Sequence, residues 1–176
     1  MKVKLVLLFT CFALVSCISK SESVTYEVKP RELLPECNLT GFKKVFLAGT
    51  IDMGNSTDWQ ADVKDWFSER KGRYILFNPR RSKWNGGADG EMEYQVNWEL
   101  EHLEQADIII MNILGSSKSP VTLLEMGLFA RSGKLYVACE SDYYRYDNVK
   151  ITCDYYGVPL YNSIEELLDA VPFLKQ

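Results

Sequence analysis

Apolar residues follow two alternating patterns along the chain. Short unbroken apolar runs recur, and between them lie segments in which apolar residues return every three or four positions. The runs "KVFLAGT" (44–50), "RYILFNP" (73–79), "ADIIIMNIL" (106–114) and "KLYVAC" (134–139) read as strands, with a shorter fifth in "VPLYNS" (158–163). Continuous apolar strands are the pattern of strands covered on both faces.

The intervening segments read as helices. In "STDWQADVKDWFSER" (56–70), Trp59, Val63, Trp66 and Phe67 share one face, and Ser56 or Thr57 is placed to cap the start. Asp58 is either a cap or a ligand contact. In "EMEYQVNWELEHLEQ" (91–105), Met92, Val96, Leu100 and Leu103 form the expected core stripe. "SPVTLLEMGLFARSG" (119–133) has Pro120 in its first turn. "SIEELLDAV" (163–171) closes the chain with Ser163 as cap, and "ESDYYRYDNVKITCDYYG" (140–157) reads as a long aromatic loop with a short helical piece.

Strand–helix alternation of this kind implies a mainly parallel sheet of about five strands. Right-handed crossovers wind it into a doubly wound, flavodoxin-like three-layer sandwich. Ligands bind such folds beyond the carboxyl ends of the strands. The rim therefore contains Gly49 and Asp52, then Asn78, Arg80 and Arg81, then residues 112–115, then Glu140.

The first residues break the pattern. "MKVKLVLLFTCFALVSC" has two lysines before an apolar run too short to span a bilayer, the layout of a secretory signal peptide. Its end, "LVSC", resembles a bacterial lipobox, in which Cys17 takes the lipid. The expected organisation is a signal peptide over 1–16, a lipidated Cys17 and tether over 17–43, and one domain over 44–176. The protein is thus expected at the bacterial cell envelope, held to a membrane by its lipid.

Composition narrows the chemistry. The chain has 176 residues, 47% hydrophobic and 25% charged, enough for one domain with a core. A net charge of -4 gives no basic footprint for nucleic acid. A single histidine, His102, excludes a His-rich metal site. "FLAGT" with "GNST" lacks the spacing of a dinucleotide or P-loop fingerprint. No metal or cofactor is expected. Cys139 ends a strand and reads as a small buried apolar residue.

One carboxylate stands out. Glu125 lies among Leu123, Leu124, Met126, Leu128 and Phe129, and a helical wheel puts it on a stripe with Val121, Leu128 and Phe129. A charge there costs stability unless it is paired or used. Burial would raise its pKa, whereas a hydrogen-bonded partner would hold it ionised as a nucleophile. Gln95 and Glu99 sit one turn apart on the preceding helix and reach the rim only if the cleft runs deep. Asp107 opens the third strand, at the opposite end of the sheet. Arg80, Arg81 and Lys83 could bind an anion.

"VFLAGTI", "DWQ", "FNPRR", "QVNWELEHLEQADIII", "SPVTLLEMGLFARSGK" and "NVKITCDYYGVPLY", in that order, resemble a nucleoside 2-deoxyribosyltransferase-like protein over most of the domain. The resemblance implies that a Glu on the helix after the third strand attacks the anomeric carbon of a nucleoside. The base leaves, and a second base or water takes the sugar. "LLEMG" places that role on Glu125. By motif, Glu99 and Asp107 occupy the family's acid positions. Gly49, Asn78 and Arg80 match its ligand-rim motifs; Asp58 and Gln95 are candidate substrate contacts from their positions in the chain alone. Where active members often carry a nucleophile-orienting Tyr, this chain has Phe46, which has no hydroxyl to donate. A small nucleoside or nucleotide is the implied partner, and a homo-oligomer is expected.

Overall fold

The structure, a computed structural model, describes residues 23–34, 36, 38–81 and 87–171. The signal peptide and Cys17 lie outside the described residues. Six strands form one sheet: β1 (Val24–Val28), β2 (Lys43–Gly49), β3 (Arg73–Phe77), β4 (Ile108–Ile113), β5 (Leu135–Cys139) and β6 (Leu160–Tyr161). Their order is β1-β3-β2-β4-β5-β6, and every pairing is parallel. The helices are α1 (Trp59–Ser68), α2 (Glu91–Gln105), α3 (Pro120–Phe129), α4 (Tyr146–Tyr156) and α5 (Ile164–Ala170). The doubly wound α/β sandwich expected from the sequence is thus the fold observed.

Strand alternation divides the apolar residues into two cores. Phe46, Phe77, Ile109, Met111 and Val137 point to the face carrying Trp98 and Leu103 of α2, Met126 and Phe129 of α3, and Val149 and Cys153 of α4. Val45, Leu47, Leu76, Ile108 and Ile110 point to the opposite face, against Trp59, Val63 and Phe67 of α1 and Leu167 of α5. Fully burying one such side chain contributes roughly 1.5–3 kcal/mol. The stripe of α1 therefore outweighs its N-cap, worth about 1 kcal/mol. That cap is Asp58, whose carboxylate accepts from Ala61 N at 3.3 Å, rather than Ser56 or Thr57.

Four expectations are corrected. The segment 17–43 is not all tether, because Val24–Val28 pairs with β3 as an edge strand. As an edge strand it is half exposed, and four of its five positions are only partly buried. The apolar stripe Met92, Val96 and Leu100 does not face the sheet; these residues are 54%, 42% and 40% exposed. Trp98 takes the sheet-facing place and stacks on His102, with ring centroids 4.1 Å apart. On α3, Val121 and Leu128 are exposed while Thr122, Glu125, Met126 and Phe129 are buried. The aromatic loop contains a full helix, α4, closed by Gly157 at φ 69°.

Candidate active site

In a doubly wound sheet, the crevice opens where the chain reverses its direction of winding. Here β2 sends one connection to β3, and β3 sends the next back across β2 to β4, so the reversal lies between β2 and β4. The two strands press together at that point. Gly49 ends β2 at φ 134°, and a Cβ there would lie 2.1 Å from the backbone oxygen of Asn112 on β4. Beyond Gly49, Thr50 Oγ1 accepts from Leu114 N at 3.1 Å and pairs with Ser119 Oγ at 2.6 Å. Trp59 Nε1 donates to Thr50 O at 2.9 Å. The strand ends and the start of α3 are latched together by these bonds.

A cavity of about 540 Å³ opens above this latch. Its floor is Gly49. One wall is the turn 51–55, in which Asp52 and Met53 both adopt left-handed backbone, at φ 49° and 51°. A second wall is α2, through Met92, Gln95, Val96 and Glu99. The third is the start of α3, through Ser117, Ser119, Val121, Thr122 and Glu125. Ser119 is also left-handed, at φ 42°, and no side chain caps the first turn of α3. Strained residues of this kind cluster where a site is held in shape. Tyr143 OH donates to Lys118 O at 2.7 Å, and Gly115 N donates to a Glu140 carboxylate oxygen at 2.6 Å, fixing the loop before α3.

Two carboxyl groups removed from bulk water, Glu99 and Glu125, face this space, beside the exposed Asp52. Glu125 is 8% exposed; burial first, and the charge of Glu99 second, push its pKa up to about 8. Burial also raises Glu99, opposed by a hydrogen bond from Gln95 and by the Arg81 guanidinium. Gln95 Nε2 donates to Glu99 Oε1 at 2.8 Å and to Pro79 O at 3.0 Å. Arg81 lines the same cavity and pairs through Nη1 with Glu91 at 2.5 Å. Glu91 also pairs with Arg31 at 2.5 Å.

The sequence-predicted residues divide clearly. Glu125, Glu99, Gln95 and Gly49 meet at the cavity. Asp107 does not. It sits at the amino end of β4, where its carboxylate accepts from Lys44 N at 2.9 Å. Phe46 is fully buried in the core, 6.1 Å from the Trp98 ring. Asn78 spends its amide on Glu27 of β1 at 2.7 Å, and its Oδ1 accepts from Arg80 N at 2.9 Å. Arg80 is turned inward. Its Nε donates to Gln60 Oε1 at 3.1 Å, and its Nη2 holds Ser56 and Thr57. Asp58 pairs with Arg80 Nε at 3.4 Å as well as capping α1. These three residues shape the rim rather than line it, because the β3 end is covered by β1 and by the turn before α1.

Sequence reasoning passed over Met92 and Val96 as core, and left Ser117, Ser119 and Thr122 unweighed. The available signal for the last three was the hydroxyl-rich run "GSSKSPVT" at a strand end on the rim. His102 stays out of the cavity, stacked on Trp98 with Nδ1 2.7 Å from Trp98 O. Cys139 and Cys153 are free and buried, and burial pushes their thiols up to about 12 and 11.

The family model described as "Nucleoside 2-deoxyribosyltransferase like" matches residues 42–143, more than half of the chain. The chain belongs to this family. As a nucleoside 2-deoxyribosyltransferase-like protein, it carries β2 through the start of the aromatic segment within the matched span, including every wall of the cavity. No curated protein matches the sequence. Among solved structures, a conserved protein from Enterococcus faecalis V583 is similar at a TM-score of 0.53 and 12% identity. The likeness covers 73% of this chain and 96% of that one. At that identity it speaks for the shared α/β fold alone.

Proposed function

We propose that this protein cleaves or exchanges the N-glycosidic bond of nucleosides or nucleotides, with Glu125 as nucleophile and Glu99 as the acid at the leaving base. One observation carries the reading: a buried carboxyl, Glu125, shares the wall of a nucleoside-sized cavity with a second carboxyl, Glu99. In the first step a Glu125 oxygen bonds to the anomeric carbon as the carbon–nitrogen bond breaks, and the bonding pair leaves with the base. Glu99 gives the base a proton. In the second step water or another base attacks the anomeric carbon, the bond to the Glu125 oxygen breaks with its electron pair returning to that carboxylate, and the ionised Glu99 takes the attacker's proton. The buried setting favours this, since a carboxylate in low dielectric interacts strongly with a cation-like sugar.

Free base released from a panel of deoxynucleosides and nucleotides, with and without an acceptor base, tests the reading. Glu125→Ala is expected to lose at least about a thousand-fold in release. Equal release by wild type and variant removes Glu125 from the mechanism. Phe46 favours a second reading, a binding module with little turnover, because it offers no hydroxyl to orient Glu125. Ligand binding by wild type without any base release supports that second reading.

The lipid anchor and envelope location rest on "LVSC". Radiolabelled lipid is expected on the wild-type chain and absent from Cys17→Ser; label retained by the variant removes the anchor.

A further inference from the structure

We infer that Gln95 is a positioning residue for Glu99: it occupies one oxygen of the Glu99 carboxyl and leaves the other, Oε2, to carry the proton that the base receives. This deepens the proposed reading and rests on Glu99 as its acid.

The inference starts from how Gln95 spends its hydrogen bonds. An amide nitrogen has two hydrogens. Gln95 Nε2 gives one to Pro79 O at 3.0 Å and the other to Glu99 Oε1 at 2.8 Å. Pro79 follows the end of β3, and its carbonyl is a fixed backbone acceptor. Turning the amide over would set the Gln95 carbonyl oxygen against that acceptor. The amide plane is therefore held, and with it the direction of the second hydrogen.

Spacing along α2 completes the device. Residues four apart lie on one helix face, so Gln95 and Glu99 meet within one turn and both line the cavity. Gln95 is only 7% exposed, which shields its bond to Glu99 from competing water. A carboxyl oxygen that accepts an N–H cannot also hold a proton aimed at that nitrogen. In neutral Glu99 the proton thus belongs to Oε2. The groups acting on Glu99 from neighbouring elements are Arg81 after β3 and Glu125 on α3. Neither replaces the hydrogen bond within α2. When the base leaves, the Oε2–H bond breaks, the proton passes to a ring nitrogen of the base, and Glu99 becomes a carboxylate. Gln95 then donates to a full negative charge, a stronger bond than to the acid.

Two measurements on the full chain test this. The first needs no turnover: the Glu99 carboxyl is titrated by carbon NMR in wild type, Gln95→Leu and Gln95→Met. Losing the donor is expected to raise the Glu99 midpoint by about one pH unit in whichever variant folds. An unchanged midpoint overturns the inference, whatever the fate of the catalytic reading. The second compares leaving groups. Gln95→Leu is expected to slow release of adenine about 10- to 100-fold while slowing release of p-nitrophenol from its 2-deoxyriboside less than about 3-fold, since that group leaves without a proton. Equal slowing of both marks Gln95 as merely structural and overturns the inference.

Discussion

Glu125 is the residue on which most of the chemistry turns, and its burial has a cost that can be measured. Its pKa stands at about 8 in the fold against an ordinary 4.5. A carboxyl raised on folding contributes stability that is complete below its unfolded pKa and is lost as pH rises through its folded one. Wild type should therefore lose a few kcal/mol between about pH 4.5 and pH 8. Glu125→Gln keeps the shape without the ionisation. Urea denaturation at pH 5 and pH 9 is expected to give a smaller difference for the variant than for wild type. Parallel losses would mean that Glu125 ionises freely in the fold. The same physics sets an activity profile. With Glu99 beside it, the pair releases its protons in two steps; with one proton left, that proton rests mainly on Glu125, and the tautomer that carries it on Glu99 supplies both nucleophile and acid. The rate of base release should accordingly pass through a maximum with pH.

At the scale of elements, the site depends on how closely β2 and β4 approach. Gly49 allows that approach through its φ of 134° and its missing Cβ. Gly49→Ala is expected to cost about 2–4 kcal/mol and to disturb the Thr50–Ser119 latch. Gly54, on the same rim at φ 90°, has open space where a Cβ would go. Gly54→Ala should cost only about 1 kcal/mol. Thermal melting of the two variants separates close packing from backbone strain; equal losses would mean that the strand approach is not what requires Gly49. Elements also explain where sequence reading failed. The stripe Met92, Val96 and Leu100 has good helical spacing, but Trp98 on the adjoining face fills the space above Phe46 and Phe77. Periodicity reports that a helix has an apolar stripe; which of two stripes meets the sheet depends on what volume the sheet leaves.

At the scale of the molecule, the exposed stripe gains a meaning. Met92, Val96 and Leu100 of α2 and Val121, Leu124 and Leu128 of α3 are all at least 40% exposed. Met92, Val96 and Val121 also line the cavity, so the apolar face continues into the cavity mouth. A second copy of the chain seated there would cover the face and narrow the opening, which is the homo-oligomer we propose. Light scattering is expected to find an oligomer in wild type and a smaller species in Leu124→Glu. A wild-type monomer at micromolar concentration removes the proposal.

The chain by itself determined the parallel α/β sandwich, because unbroken apolar runs alternating with helical stripes leave few other ways to cover a sheet. It also marked Glu125, since an acid among Leu, Met and Phe is anomalous before any coordinate is known. Position on the helix made Gln95 and Glu99 candidates only if the cleft ran deep, and the family resemblance is what raised Glu99. Tertiary structure decided the rest. Arg80 and Asn78 match ligand-rim motifs, yet both are drawn into bonds with Gln60, Ser56, Thr57 and Glu27. β1 alternates apolar Val24, Tyr26 and Val28 with Thr25 and Glu27, yet five residues flanked by polar segments are a short signal, and only the pairing with β3 makes them a strand. Ser117, Ser119 and Thr122 reached the cavity through the β2–β4 latch, a contact between residues far apart in sequence. Local pattern encodes which face of an element is apolar, whereas the partners of a buried polar group depend on what the fold brings beside it.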